Sequence, residues 1–286
     1  AGECSMGRFK KYLWAACVVM LLCWGIVSLI HNLYLAAQED EARIANEARL
    51  QKLNIPRNEN RVHYNIGNID GYHINIPPGI VDGWITYNGD PNDFDFDAKE
   101  KYQRPPISYD SIIAQISFKF RVADAALLQL GTQTEQDYAN DLKLKVTPWA
   151  NVLSNSGEKY PEDIDKFFNN VLESYLNSVG QPLTYTDKVH GLERYQFDYV
   201  NNPTAQKTWD MEEVYIYKTQ QDQINTIIRC STNPNFYAHS CQQFFHMPDN
   251  EMEAYFEVRY PRELLPEWQN IEQHTIAILN GFALTH

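Results

Sequence analysis

Basic side chains are scarce in this 286-residue chain: 24 Lys and Arg stand against 37 Asp and Glu, a formal net charge of −13. That shortage argues against a nucleic-acid partner, because phosphate contacts demand clusters of Lys and Arg. Catalytic signatures are missing as well. There is no nucleophile elbow, no glycine-rich phosphate loop and no His-Glu-x-x-His metal motif. No catalytic residue, cofactor or metal-ligand set is therefore assigned, and the chain reads as a non-enzyme. Ser156-Gly-Glu-Lys159 has Ser-x-x-Lys spacing, but it lies in a polar loop instead of opening a helix. The eight histidines are scattered, and His190-Gly191 reads as a turn.

Long hydrophobic runs are equally rare, and the single one is informative. From Tyr12 to Ala37 there is no Asp, Glu, Lys or Arg. As a helix this stretch rises about 39 Å, enough to cross a hydrocarbon layer of roughly 30 Å with some tilt. Tyr12, Trp14 and Tyr34 stand where interfacial aromatics belong. Arg8, Lys10 and Lys11 precede the run, whereas Glu39, Asp40 and Glu41 follow it. The positive-inside rule then makes residues 1–11 a cytoplasmic N-terminus and 12–37 a single transmembrane helix. The rest of the chain lies on the far, non-cytoplasmic side of the membrane; the resemblance described below implies that this is the periplasmic side of a bacterial inner membrane. A cleaved signal peptide is the competing reading, with Ala36-Ala37-Gln38 as a faint processing site.

Cysteine is sparse outside that run. Cys4, Cys17 and Cys23 lie in or before it, and only Cys230 and Cys241 belong to the body. Each borders an apolar run, and the residues between them, including Asn233-Pro234-Asn235, are turn formers and polar groups. This predicts two antiparallel strands joined by a disulfide, in an oxidising compartment. Two buried thiols are one alternative. A Cys/His metal site with His239 and His246 is another, although the spacing matches no zinc pattern.

What is present is a body rich in aromatics, with 18 Tyr and 13 Phe. Residues 38–56 read as a helical stalk, with Glu39 and Arg43 ordered for an i,i+4 pair and Pro56 closing it. Residues 57–286 read as an α+β domain. Strand patterns occur at His73–Ile76, Ile80–Tyr87, Ile112–Val122, Leu183–Thr186, Tyr195–Val200, Glu213–Lys218, Ile224–Cys230, Cys241–Met247 and Glu253–Tyr260. One helix follows Pro161 and carries an apolar stripe from Ile164 to Val179. A second follows Leu265, with Trp268, Ile271, Thr275, Ile278, Leu279 and Phe282 along one side. The expected architecture is an antiparallel sheet with its helices packed on one face.

Asn88-Gly89-Asp90-Pro91 is a turn signal that opens a long loop reaching Pro106. Asp90, Asp93, Asp95 and Asp97 make this loop strongly acidic, although the EF-hand glycine and closing Glu are absent. They are the candidate partner-binding residues, suited to steering a cationic protein. Trp84, Trp149 and Trp209 lie beside turn residues, where an aromatic could serve an exposed binding surface.

The C-terminal order is distinctive: Cys230…Cys241-Gln-Gln-Phe-Phe-His-Met-Pro248, then Glu253-Ala-Tyr-Phe-Glu-Val-Arg-Tyr260, then Arg262-Glu-Leu-Leu-Pro-Glu-Trp268-Gln-Asn-Ile271 and an amphipathic helix. With the anchor-then-body layout, it resembles the membrane-anchored periplasmic immunity proteins of type VI secretion effectors. The resemblance implies a binding protein that blocks a toxin, such as a cationic effector, with no toxin-contacting residue to carry over. A structural subunit of a cell-envelope or secretion complex is the alternative expectation. An envelope hydrolase is a third.

Overall fold

In the computed structural model the described residues are 24, 28, 31–38, 40–41, 43–45, 47–48, 63–91, 95–177, 183–197, 212–231, 240–248 and 252–284; at 81–84, 96 and 99 the description is of backbone alone. The chain divides into two compact units, Ala1–Ile55 and Pro56–His286. In the first unit the described residues are helical. Among the described residues no helix is long and apolar enough to cross a membrane. Most of the expected span, 12–37, lies outside them. So does Glu39, the expected partner of Arg43, which instead donates to Asp40 at 3.1 Å.

The second unit is built on one nine-stranded antiparallel sheet. Its strands are β3 (Val81–Tyr87), β4 (Ile113–Arg121), β5 (Trp149–Ser156), β6 (Thr184–Val189), β7 (Leu192–Gln196), β8 (Glu212–Lys218), β9 (Ile224–Ser231), β10 (Ser240–His246) and β11 (Ala254–Pro261). Their order is β3-β4-β5-β11-β10-β9-β8-β7-β6. A separate hairpin, β1 (Asn65–Ile69) and β2 (Tyr72–Ile76), turns through Asp70 and Gly71, both at positive φ. Four α-helices are described here: α1 (Phe96–Lys101), α2 (Gln133–Asp141), α3 (Ile164–Leu176) and α4 (Trp268–Phe282).

Alternation of side chains across the sheet explains where the helices sit. Ile227 and Ile228 are neighbours on β9, and both are fully buried. Ile227 packs with Val214, Ile216, Phe244 and Phe168 of α3. Ile228 packs with Tyr215, Phe245, Phe256 and the apolar side of α4. The two helices therefore cover opposite faces, which corrects the expectation of helices on one face. The apolar stripe of each helix was visible in the sequence, but two adjacent apolar residues on a strand were needed to show that both sides are covered.

α4 carries the predicted stripe: Trp268, Ile271, Thr275, Ile278, Leu279 and Phe282 are all buried. Phe282 meets Phe118 edge-on at a centroid distance of 6.0 Å. A 3-10 segment, Arg262–Glu267, precedes the helix and holds Pro266, so the regular helix begins at Trp268, two residues after the expected start. α3 begins at Ile164 because Asp163 caps it, accepting from the Lys166 N–H at 2.8 Å. Pro161 and Glu162 thus precede the cap instead of filling the first turn.

Three strand differences have physical causes. β7 occupies Leu192–Gln196, earlier than Tyr195–Val200, because His190 and Gly191 at positive φ form a tight turn straight out of β6. β5 is central yet polar: Ser154, Asn155 and Ser156 are buried, and Asn155 Oδ1 accepts from Gln115 Nε2 at 2.7 Å on β4. Asn155 and Ser156 bond to β4, and the run of polar residues hides the strand from hydrophobic patterning. The loop after β3 is not wholly irregular, since α1 lies within it.

Candidate functional site

The cysteine hairpin forms as expected. Cys230 on β9 and Cys241 on β10 stand directly opposite in register, are disulfide-bonded, and have Cα atoms 4.1 Å apart. Both are fully buried on the α4 face. The bond ties two strands in the middle of the sheet.

The acidic loop is resolved into separate roles. Asp90 is buried at its carboxylate, which receives the Arg104 Nε–H at 3.0 Å and the Tyr87 N–H at 2.8 Å. Burial by itself would raise its pKa, but the hydrogen bonds from Arg104 and Tyr87 prevail and hold it below its ordinary value. Asp95 accepts from the Ala98 N–H at 2.9 Å and so caps α1. Asp97 is exposed in the first turn of α1. Asp93 lies outside the described residues. Two of the predicted partner-binding carboxylates therefore hold the loop, and Asp97 faces solvent. Among the described residues no group of three or more His, Cys, Asp or Glu is placed to hold a metal ion.

Ser156 of the Ser-x-x-Lys spacing is buried and donates to the Ile113 carbonyl at 2.7 Å. It closes β5 at Gly157, whose φ is +51 and where a Cβ would come within 2.6 Å of Asn88 Oδ1 and 2.7 Å of Ile112 Cγ2. That close approach, together with the left-handed backbone, requires glycine.

Two polar networks lie beneath the α4 face. Glu213 receives Arg262, Tyr215 and Gln196, joining β7 and β8 to the segment before α4. Glu272 of α4 is nearly enclosed and accepts from the Thr226 hydroxyl and from Gln243 Nε2 at 3.2 Å. Gln243 in turn accepts from the Tyr260 hydroxyl at 2.7 Å. Desolvation pushes Glu272 up to about 7, against the lowering effect of those two hydrogen bonds. No sequence motif marks Glu272; its position off the apolar stripe reads as solvent-facing.

The opposite face is covered only in part. α3 lies over β8 to β10, and Phe167 reaches Tyr255 on β11 at 5.0 Å between ring centroids. Beyond that the sheet is open among the described residues. Register aligns Lys119 of β4, Asn151 of β5 and Arg259 of β11 in one row, and Ser117, Leu153 and Glu257 in the next. Arg259 and Asn151 are exposed. At one end of this open face lies a pocket of about 420 Å³. Trp149 and Tyr138 line it edge-to-face at 5.3 Å, and the Trp149 indole N–H donates to Asp141 at 2.8 Å. Trp149 sits in β5 at 3% exposure, so the aromatic read beside a turn is a buried pocket wall. Trp209 and the side chain of Trp84 lie outside the described residues.

No family model matches the chain, and no curated protein matches it. Two solved structures are similar to it. An immunity protein of the Stenotrophomonas maltophilia type IV secretion system superposes with a TM-score of 0.51 at 12% identity, covering 81% of this chain and 99% of that one. The Neisseria meningitidis iron-regulated outer membrane lipoprotein FrpD superposes with a TM-score of 0.42 at 13% identity, over 80% and 96%. At these identities the first likeness is one of fold. A secretion-system immunity protein thus shares this fold, which agrees with the coarse expectation drawn from the C-terminal residues.

Proposed function

We propose that this chain is a membrane-anchored, periplasmic immunity protein that binds and neutralises a secreted antibacterial effector. The observation that carries the reading is the disulfide-tied nine-stranded sheet whose fold matches that of a secretion-system immunity protein over nearly all of that protein. A bonded cysteine pair suits an oxidising, extracytoplasmic compartment. The uncharged run 12–37 supplies the anchor, with the N-terminus in the cytoplasm. Assignment to type VI machinery rests on the C-terminal sequence resemblance; the structural neighbour's own system is type IV. The chain acts by binding and not by catalysis. Its acidic loop, through Asp97 and Asp93, steers a cationic effector, while Asp90 and Asp95 keep that loop in shape.

Co-expression tests this. Each secreted protein encoded beside this gene is directed to the periplasm of a bacterial host, with and without the full chain. Growth arrest by one neighbour, relieved only when the chain is present, is the expected result. If no neighbour is toxic and the chain co-purifies with subunits of an envelope machine, the immunity reading gives way to a structural one.

A further inference from the structure

The pocket at the end of the open sheet face has features that the fold does not require. Its roof is the segment Leu142-Lys143-Leu144-Lys145-Val146-Thr147. Leu142 is 56% exposed and Leu144 is 55% exposed, although each is large and apolar. Both line the pocket rim. Lys119, Lys145 and Arg259 surround the same opening, with Glu263 as the acid on the lining; Arg259 also donates to Glu257 at 2.7 Å, and Lys119 lies over the Tyr138 ring. Three cations around one opening are unusual in a chain of net charge −13. The Thr147 hydroxyl on the pocket wall is buried without a hydrogen-bond partner among the described residues. That hydroxyl is available to a polar group that enters the pocket. The walls Trp149, Ala150 and Tyr260 are buried and fixed in strands β5 and β11. The volume is that of a site for one large side chain with its flanking backbone.

We propose that this pocket seats an acidic segment of the protein partner, bearing one large apolar side chain. The apolar side chain enters between Leu142, Leu144 and Trp149, and flanking carboxylates meet Lys119, Lys145 and Arg259. Concavity and a rigid aromatic wall favour a protein knob over a lipid surface, which would be met by a protruding loop. Identifying the partner as the effector rests on the immunity reading above. The acidic body and the cationic pocket then select opposite ends of a charge-asymmetric partner, which fixes its orientation.

The test uses the full-length chain in neutral detergent and three fluorescein-labelled pentapeptides followed by anisotropy. Their sequences are Glu-Asp-Trp-Asp-Glu, the same with glycine at the centre, and Lys-Lys-Trp-Lys-Lys. The first should bind at least ten-fold tighter than either of the others. Leu144→Asp and Lys145→Glu, at exposed positions, should each weaken it five-fold or more, and Lys188→Glu on β6 should leave it unchanged. Equal binding of the three peptides, or equal binding by the variants, overturns the proposal. Displacement of the probe by monomeric dihexanoyl-phosphatidylglycerol at lower concentration than by unlabelled peptide also overturns it, in favour of a lipid headgroup. The variants are scored in the co-expression assay as well. Full neutralisation by variants that have lost peptide binding removes the pocket as the effector's seat and leaves the immunity reading standing. Selective peptide binding by a chain that neutralises nothing keeps the pocket and removes the effector.

Discussion

The two faces of the large sheet differ in how completely they are covered. On the α4 face, buried residues from β1 through β11 join five buried positions of the helix in one continuous cluster. On the α3 face the buried cluster comprises seven residues among those described, and Phe168 is the one buried position of its helix. The rest of that face, from β4 to β11, is polar and open. One face is therefore built for stability, and the other leaves strand surface free for a partner. This is the division expected when a rigid scaffold presents a binding surface.

Truncating a core side chain on each face puts that contrast at risk. Phe256 is fully buried and lies 4.9 Å from Phe245 between ring centroids. Phe256→Ala should cost about 3–5 kcal/mol in urea unfolding. Phe168→Ala should cost clearly less, because its neighbours Phe167, Val171 and Leu172 are half-buried and can close over the gap. Equal losses would show that the two faces share the load.

The disulfide belongs to the α4 face and should come next in size. Cys230 and Cys241 are separated by 11 residues. Closing so short a loop in the unfolded chain stabilises by about 3 kcal/mol in the chain-entropy model. Unfolding with and without reductant should differ by about that amount. In a Cys230→Ala, Cys241→Ala double variant the reductant should have no effect. A reductant effect that persists in the double variant would place the stabilisation elsewhere.

How much of this was legible in the sequence depends on where each signal is written. α4 and the cysteine hairpin could be read directly, because every residue that matters sits on one periodic stripe or in one short segment. β5 could not, since Asn151, Ser154, Asn155 and Ser156 are polar residues in a central strand, and Asn155 and Ser156 bond to Gln115 and Ile113, far along the chain. The acidic loop was legible as composition but not as roles: Arg104 is 14 residues from Asp90, and only the folded loop pairs them. The pocket was invisible for the same reason. Its row of Lys119, Asn151 and Arg259 exists only through register between three strands.

Buried polar chemistry on the α4 face gives a smaller, pH-dependent effect. Glu272 has its pKa raised to about 7 by burial, above the ordinary 4.5. A raised folded-state pKa means that the folded protein binds the proton more tightly. The resulting stability is complete below about pH 4.5 and is lost as pH rises through about 7. The loss should amount to about 1–3 kcal/mol. Carboxylates held low act the other way. The hydrogen bond from Arg121 keeps Asp124 below its usual range, so its contribution disappears only under more acidic conditions. Glu272→Gln should therefore flatten the stability profile between pH 5 and 7 and leave the acid limb in place. An unchanged slope in that window would mean that Glu272 titrates normally.

The smallest effect belongs to the surface. Of the four acidic-loop residues, Asp90 and Asp95 have internal partners, and Asp97 is exposed on α1. Asp97→Asn removes one solvated charge from a chain that carries many. Screening over roughly 8 Å at physiological salt limits what one such charge contributes to steering. Association with a cationic effector should slow about two-fold at low salt, with little change in dissociation. Asp90→Asn should behave differently, because it breaks the pair with Arg104 and disorders the loop, so it should lower stability and raise the dissociation rate. Stopped-flow association at two salt concentrations separates the two. If Asp97→Asn leaves the on-rate and its salt dependence untouched, the acidic loop is a solvated edge, and recognition lies with the open sheet face and its cationic pocket.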